Sequence, residues 1–265
     1  MGDKLAEDLF AELASCSQVV GVALGGSRAS GNHDEKSDYD IYVYLSEPLP
    51  ETIRKDILSK YCSRMEVGNH YWELEDNCTF HNGIDLDIIY RNLDDFEQDL
   101  ENVVVRFQAS NGYTTCMWHN LLTCQILYDK EGKLTKMKKQ YQVPYPDELQ
   151  KNIITKNRKL LSGVLPSYDM QVAKAVKRGD KISINHRVTE FLASYFDILF
   201  AMNKKTHPGE KRLKLICSKE LSILPEDFDE NLDLLFESMY EGNPVRALEW
   251  IVEDLDSVLD QIHIG

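Results

Sequence analysis

Residues 19–45, VVGVALGGSRASGNHDEKSDYDIYVYL, decide the fold. The opening VVGVAL is an apolar run of strand length that stops at Gly25-Gly26. Ten residues follow Ser27, polar and without periodicity, before Asp38-Tyr39-Asp40 opens a second strand. There Tyr39, Ile41, Val43 and Leu45 fall on one side, while Asp38, Asp40, Tyr42 and Tyr44 fall on the other, the period-two pattern of a pleated strand. Each part of this arrangement suits phosphate chemistry. Glycines at a strand end let the backbone approach a ligand closely and leave N–H groups for phosphate oxygens. Ser27 adds a hydroxyl and Arg28 a charged donor. Asp38 and Asp40 lie on one face roughly 7 Å apart, so their side chains can converge on one or two divalent cations. Two-metal phosphoryl-transfer sites hold such ions about 4 Å apart.

A site of this kind needs a third carboxylate from another strand, and residues 83–90 offer two. Ile84, Leu86, Ile88 and Tyr90 alternate with Asp85 and Asp87. Asp87 is preferred, because the apolar Ile88-Ile89-Tyr90 begins directly after it and mirrors the placing of Asp40. Clustered carboxylates repel one another and lose hydration, so they need a cation or a shared proton. Mg²⁺ suits them, since it takes oxygen ligands and keeps waters and substrate phosphates in its shell. A GGS turn or a DxD pair alone matches by accident often. Their joint order, strand, GGS, fixed gap, DxD strand, acidic third strand, is much more specific.

That order resembles the G-S-x(10)-D-x-D signature of the DNA polymerase beta-like nucleotidyltransferases. The resemblance implies that Asp38, Asp40 and Asp87 bind metal and carry catalysis, and that Gly26 and Ser27 hold the nucleoside triphosphate, with Arg28 nearby. It covers about the first 90 residues. The whole-chain layout looks like the bacterial nucleotidyltransferases that act on aminoglycoside and lincosamide antibiotics. The segments LFAMNKKTHPGEKRLKLI (199–216) and ELSILPEDF (220–228) resemble the late part of aminoglycoside adenylyltransferases. There a basic residue after a turn reaches the triphosphate; Lys211 is the matching position, with Lys205 and Arg212 close by, although the same Thr206–Gly209 stretch also reads as an exposed turn with solvated lysines. The implied reaction is Mg²⁺-dependent transfer of a nucleoside monophosphate, AMP from ATP, to a hydroxyl of a small molecule. The rival readings are a protein- or RNA-modifying enzyme of the AMP-adding antitoxin type and a nucleotide-binding regulator without turnover.

The rest of the chain bounds these readings. At 265 residues it can bury a real core and divide in two. Thirty basic against 44 acidic side chains give a net charge of −14, which repels nucleic-acid backbones and anionic lipid. No stretch reads as a signal peptide or a membrane span, and position 6 is Ala where a myristoylation motif needs Ser or Thr. Six scattered cysteines, none in a CxxC pair, read as reduced thiols of a cytoplasmic protein. Helices are expected at residues 3–15, 52–61 and 94–106. Residues 131–148, basic and then proline-punctuated, read as a linker or domain hinge. Beyond it helical spacing dominates, in Leu149, Ile153 and Ile154 and again in Val188, Phe191, Tyr195 and Leu199. Asn243-Pro244 opens the last helix. The expected architecture is an α/β nucleotidyltransferase domain with a small mixed sheet flanked by helices (1–140), then an all-α helical bundle (141–265) completing the substrate cleft, as a monomer or homodimer.

Other groups carry less. Cys62, His70, Cys78 and His81 lack the paired spacing of structural zinc. Tyr71, Trp72 and Glu73 are candidates for an acceptor pocket, weighed against simple packing. Glu75 and Asp76 could attract a cationic acceptor, but read more simply as solvated surface. His119 and His186 read as packing residues, and Phe191 and Tyr195 as bundle core.

Overall fold

The computed structural model describes residues 4–29, 37–71 and 73–262. The two strands of the decisive segment form first neighbours: β1 (Val19–Leu24) pairs antiparallel with β2 (Tyr39–Leu45), Leu24 opposite Ile41. Between them stands a single helical turn, α2 (Gly26–Ala29). β5 (Asp85–Asn92) lies parallel to β2 on its other side, with Asp40 opposite Asp87. A hairpin of β3 (Cys62–His70) and β4 (Leu74–Phe80) extends the sheet beyond β5, and β6 (Gln125–Asp129) closes the far edge on β1. The order is β3-β4-β5-β2-β1-β6. The sheet is thus mixed, as expected; β3, β4 and β6 are strands that sequence periodicity does not announce.

Alternation assigns the two faces. Tyr39, Ile41, Val43 and Leu45 join Leu86, Ile88, Tyr90, Cys78 and Phe80 in one core. The same core contains Leu9 and Leu13 of α1 (Lys4–Ala14) and Ile57 and Leu58 of α3 (Glu51–Leu58). Each such side chain contributes about 1.5–3 kcal/mol when fully buried. A one-residue slip of β2 would exchange Ile41 for Asp40 in that core, so burial fixes the register. On the opposite face α4 (Leu93–Val104) sets Phe96 against Tyr44, ring centroids 5.3 Å apart. α6 (Lys133–Gln140) lays Leu134 so close to Gly21 that an added Cβ there would stand 3.2 Å from its Cδ2. These helices cover the Tyr44 end of the face. The boundary between the two compact units falls after Val143, inside the stretch 131–148 read as a linker or hinge, but the part ahead of it is ordered as α6, which buries Leu134 and Met137, three apart, among mostly exposed lysines.

The chain divides into two compact units, residues 1–101 with 120–143, and residues 102–119 with 144–265. α5 (Cys116–Thr123) runs across one of these boundaries. The second unit contains α7 (Asp147–Leu161), α8 (Tyr168–Arg178), α9 (Lys181–Met202), α10 (Leu213–Glu220), α11 (Phe228–Ser238) and α12 (Pro244–Leu259). α7 and α8 pack on α9, and α11 on α12. Asp180 caps α9 by accepting the Ser183 N–H at 3.0 Å. Phe191 and Tyr195 are buried on α9, but His186 is exposed rather than packed. Six residues beyond Phe191, Asp197 is also buried. It accepts the Thr114 N–H at 3.0 Å, the Thr114 hydroxyl at 2.7 Å and the Asn157 amide at 3.2 Å. Burial raises its pKa to about 6 in spite of those donors. No helix among the described residues is long and apolar enough to cross a membrane.

Candidate active site

The exposed end of the polar sheet face carries a transverse row. Asn77 on β4, Asp87 on β5 and Asp40 on β2 occupy paired positions on successive strands. Paired residues share a face and neighbouring strands lie about 4.8 Å apart, so the two carboxylates are direct neighbours. The row ends at the glycine corner. Gly25 donates its N–H to the Asp40 carbonyl at 2.8 Å. Gly26 adopts φ +59°, and a Cβ built on it would stand 1.8 Å from Asp40 Oδ2. The backbone of the corner therefore lies directly against the carboxylate, an approach open only to glycine.

Asp38 is exposed just ahead of β2, two residues from Asp40. Asp85 is exposed and accepts a hydrogen bond from the Thr79 hydroxyl at 2.8 Å; Asp87, not Asp85, stands in register with Asp40. Ser27 is half-buried within α2. Arg28 turns its guanidinium to the backbone, donating from Nε to the carbonyls of Ser37 at 2.8 Å and Asp38 at 3.1 Å, and lies over the Tyr39 ring at 3.9 Å. In this arrangement it pins the start of β2.

Lys205, Lys211 and Arg212 are exposed and belong to the second unit. His207 beside them corrects the reading of residues 206–209 as an exposed turn. It is wholly buried, its backbone N–H donates to the Thr115 hydroxyl at 2.8 Å, and burial lowers the pKa of its ring to about 3. His119 is also held, its Nδ1 2.8 Å from the Thr206 hydroxyl.

Around the row, the hairpin residues separate. Glu73 receives the Arg91 guanidinium as a two-pronged pair at 2.7 Å, and Arg91 also donates to Asn120 at 2.9 Å and lies over Tyr42 at 4.4 Å. Tyr71 is exposed, and Trp72 lies outside the described residues. Glu75 sits on the same face as Asp87, its pKa raised by burial and then by the charges of Asp87 and Glu73. Asp76 corrects the surface reading: it is fully buried on the core face, paired with Arg54 and accepting the Gly68 N–H at 2.9 Å. Sequence reasoning also missed Asn69 and Asn77. Asn77 donates to Asp87 Oδ1 at 2.8 Å, and its own Oδ1 accepts from Asn69 at 2.6 Å. Only the strand register brings these residues together.

Among the described residues no group of three His, Cys, Asp or Glu stands ready to hold a metal alone. The donors nonetheless fit Mg²⁺ in kind. Asp40 and Asp87 are hard oxygen ligands side by side, against a glycine corner a Cβ would fill. Mg²⁺ is ordinarily held by one or two carboxylates together with substrate phosphates rather than by an all-protein cage.

Residues 6–111 match the nucleotidyltransferase domain family, a span that includes the glycine corner, the DxD strand and β5. They are a nucleotidyltransferase domain. Residues 113–213 match a domain of unknown function, DUF4037. No curated protein matches the chain. Among solved structures, a nucleotidyltransferase-like protein from Exiguobacterium sibiricum 255-15 is 12% identical, over 97% of this chain and 74% of that one, with a TM-score of 0.45. An aminoglycoside 6-adenyltransferase from Bacillus subtilis is 11% identical, over 98% and 92%, at 0.28. A spectinomycin adenyltransferase from Enterococcus faecialis, solved with ATP and spectinomycin, is 14% identical, over 96% and 97%, at 0.28. At such scores these likenesses add nothing to what the domain match shows. The nucleotidyltransferase domain takes a nucleoside triphosphate as its donor.

Proposed function

We propose that the enzyme transfers AMP from ATP to a hydroxyl of a small molecule, with an aminoglycoside or lincosamide as the acceptor class. The observation that carries this reading is the row of Asp87 and Asp40 ending against Gly26, inside a nucleotidyltransferase domain. Asp38, Asp40 and Asp87 are assigned as the carboxylates that hold Mg²⁺, which when bound neutralises charge on the phosphate oxygens. At the corner the Gly25 N–H is held by the Asp40 carbonyl, so the exposed Gly26 is the part offered to the triphosphate, and Ser27 adds a hydroxyl beside it. Asp87 orients the acceptor hydroxyl and takes its proton. The hydroxyl oxygen forms a bond to the α-phosphorus, the bond to the bridging oxygen breaks, and pyrophosphate leaves. The face around the row favours a cationic acceptor: Glu75, with its raised pKa, lies among Asp87 and Glu73 and would gain from a neighbouring ammonium.

The test incubates the full chain with ATP, Mg²⁺ and a panel of both antibiotic classes, reading pyrophosphate release and adducts by mass spectrometry. The expected result is an adenylylated small molecule, with turnover falling about a hundredfold or more in Asp38→Ala and Asp40→Ala. Turnover that survives both substitutions, or adducts found on partner proteins only, would overturn the reading.

A further inference from the structure

We infer that Asn77, itself held by Asn69, is a positioning residue for Asp87. The inference rests on the reading of Asp87 as a site carboxylate and adds to it a group that no local motif contains. Asn77 stands opposite Asp87 in the β4–β5 pairing and donates from Nδ2 to Oδ1 at 2.8 Å. Its other amide atom is engaged as well, since Oδ1 accepts from Asn69 Nδ2 at 2.6 Å. The two bonds assign the amide one orientation, because a flip would set donor against donor and leave the carboxylate facing an oxygen.

The relay depends on an irregularity in β3. Val67 pairs with Asp76 and Asn69 with Glu75, so Gly68 at φ +84° is the additional residue on that strand. Such a bulge re-aims the side chain that follows it. Here the residue re-aimed is Asn69, while the Gly68 N–H is taken by Asp76 on the core face. The chain of amides thus runs from the edge strand across β4 and ends at the carboxylate in register with Asp40.

Holding Oδ1 fixes the rotation of the Asp87 carboxylate and leaves Oδ2 a single preferred place. Partners of this kind, one step removed from the reacting groups, affect metal affinity or turnover about tenfold to a hundredfold when lost. Asp85 is held differently. Its partner is the Thr79 hydroxyl, which can rotate away.

The experiment is a double-mutant cycle on the full chain with Asn77→Ala, Asp87→Asn and the pair. Two readouts are taken: turnover of ATP with the acceptor used by the unaltered protein, and Mn²⁺ affinity in the presence of a non-hydrolysable ATP analogue. Asn77→Ala is expected to lower kcat or Mn²⁺ affinity at least tenfold with the acceptor KM unchanged, and to change nothing further when Asp87 is already Asn. Asn69→Ala is expected to give a smaller loss in the same parameter. An Asn77→Ala effect of equal size in both backgrounds, or none in either, overturns the inference. If the unaltered protein transfers no nucleotide, the proposed function fails while the Mn²⁺ cycle still decides this inference: coupling supports it, additivity overturns it. Absence of Mn²⁺–nucleotide binding removes both.

Discussion

Replacing Gly26 with Ala puts the geometry of the corner to a direct test. The added Cβ would stand 1.8 Å from Asp40 Oδ2 and 2.8 Å from Cγ, inside the carboxylate rather than beside it. Restoring ordinary contact at 3.4 Å moves that oxygen by about 1.6 Å, and a misplacement of about 1 Å already costs on the order of a hundredfold in rate. The residue also sits at φ +59°, where a side chain costs about 1–2 kcal/mol. Gly132 separates the two effects. It has φ +69° with nothing within 4 Å of its would-be Cβ, so Gly132→Ala carries the backbone strain without the clash. Urea unfolding should show losses of about 1–2 kcal/mol for Gly132→Ala with turnover intact, and at least as large a loss for Gly26→Ala. Pyrophosphate release should fall about a hundredfold in Gly26→Ala alone. Equal turnover in the two variants would refute the placing of the Asp40 carboxylate against the corner.

Two further outcomes concern stability. Burial raises the pKa of Asp197 to about 6 from an ordinary 3.8, so its protonated form is favoured in the folded state. Its contribution is therefore full below pH 4 and lost as pH rises through 6, about 3 kcal/mol in all. In Asp197→Asn that part of the pH dependence should vanish, seen as a flatter unfolding free energy between pH 4 and 7 by urea titration; an unchanged slope would contradict it. Arg54→Met strands the fully buried Asp76 and should cost about 3–5 kcal/mol, while Arg54→Met with Asp76→Asn should recover much of the loss. A single variant no less stable than the double would show that the ion pair is not the cause.

The parts of the fold legible in the sequence are those whose pattern is local. β1, β2 and β5 have period-two or continuous apolar runs, bounded by glycines or acids, and α9 repeats its apolar residues at helical spacing. β3 is different. Most of CSRMEVGNH is exposed at the sheet edge, so burial imposes no alternation on it. α6 has only Leu134 and Met137 to bury, too few for a helical stripe among its lysines. The site divides in the same way. Gly26, Ser27, Asp38 and Asp40 are fixed by spacing within one segment. The neighbourhood of Asp87 is not, because Asn77 and Asn69 meet it only through the pairing of separate strands. Asp76 next to Asn77 shows the cost of lacking that pairing: one residue along β4, it points into the core and binds Arg54.

β5 is inserted between two strands that both precede it in the chain. A nascent polypeptide that has emerged only as far as residue 84 contains the β1–β2 and β3–β4 pairs, but no strand to link them through backbone hydrogen bonds. When β5 arrives, it zips the two halves of the sheet together and delivers Asp87 to Asp40 in the same event. A chain that stops short of β5 therefore has no assembled acidic pair, and the pair depends on the one strand that links the two parts of the sheet.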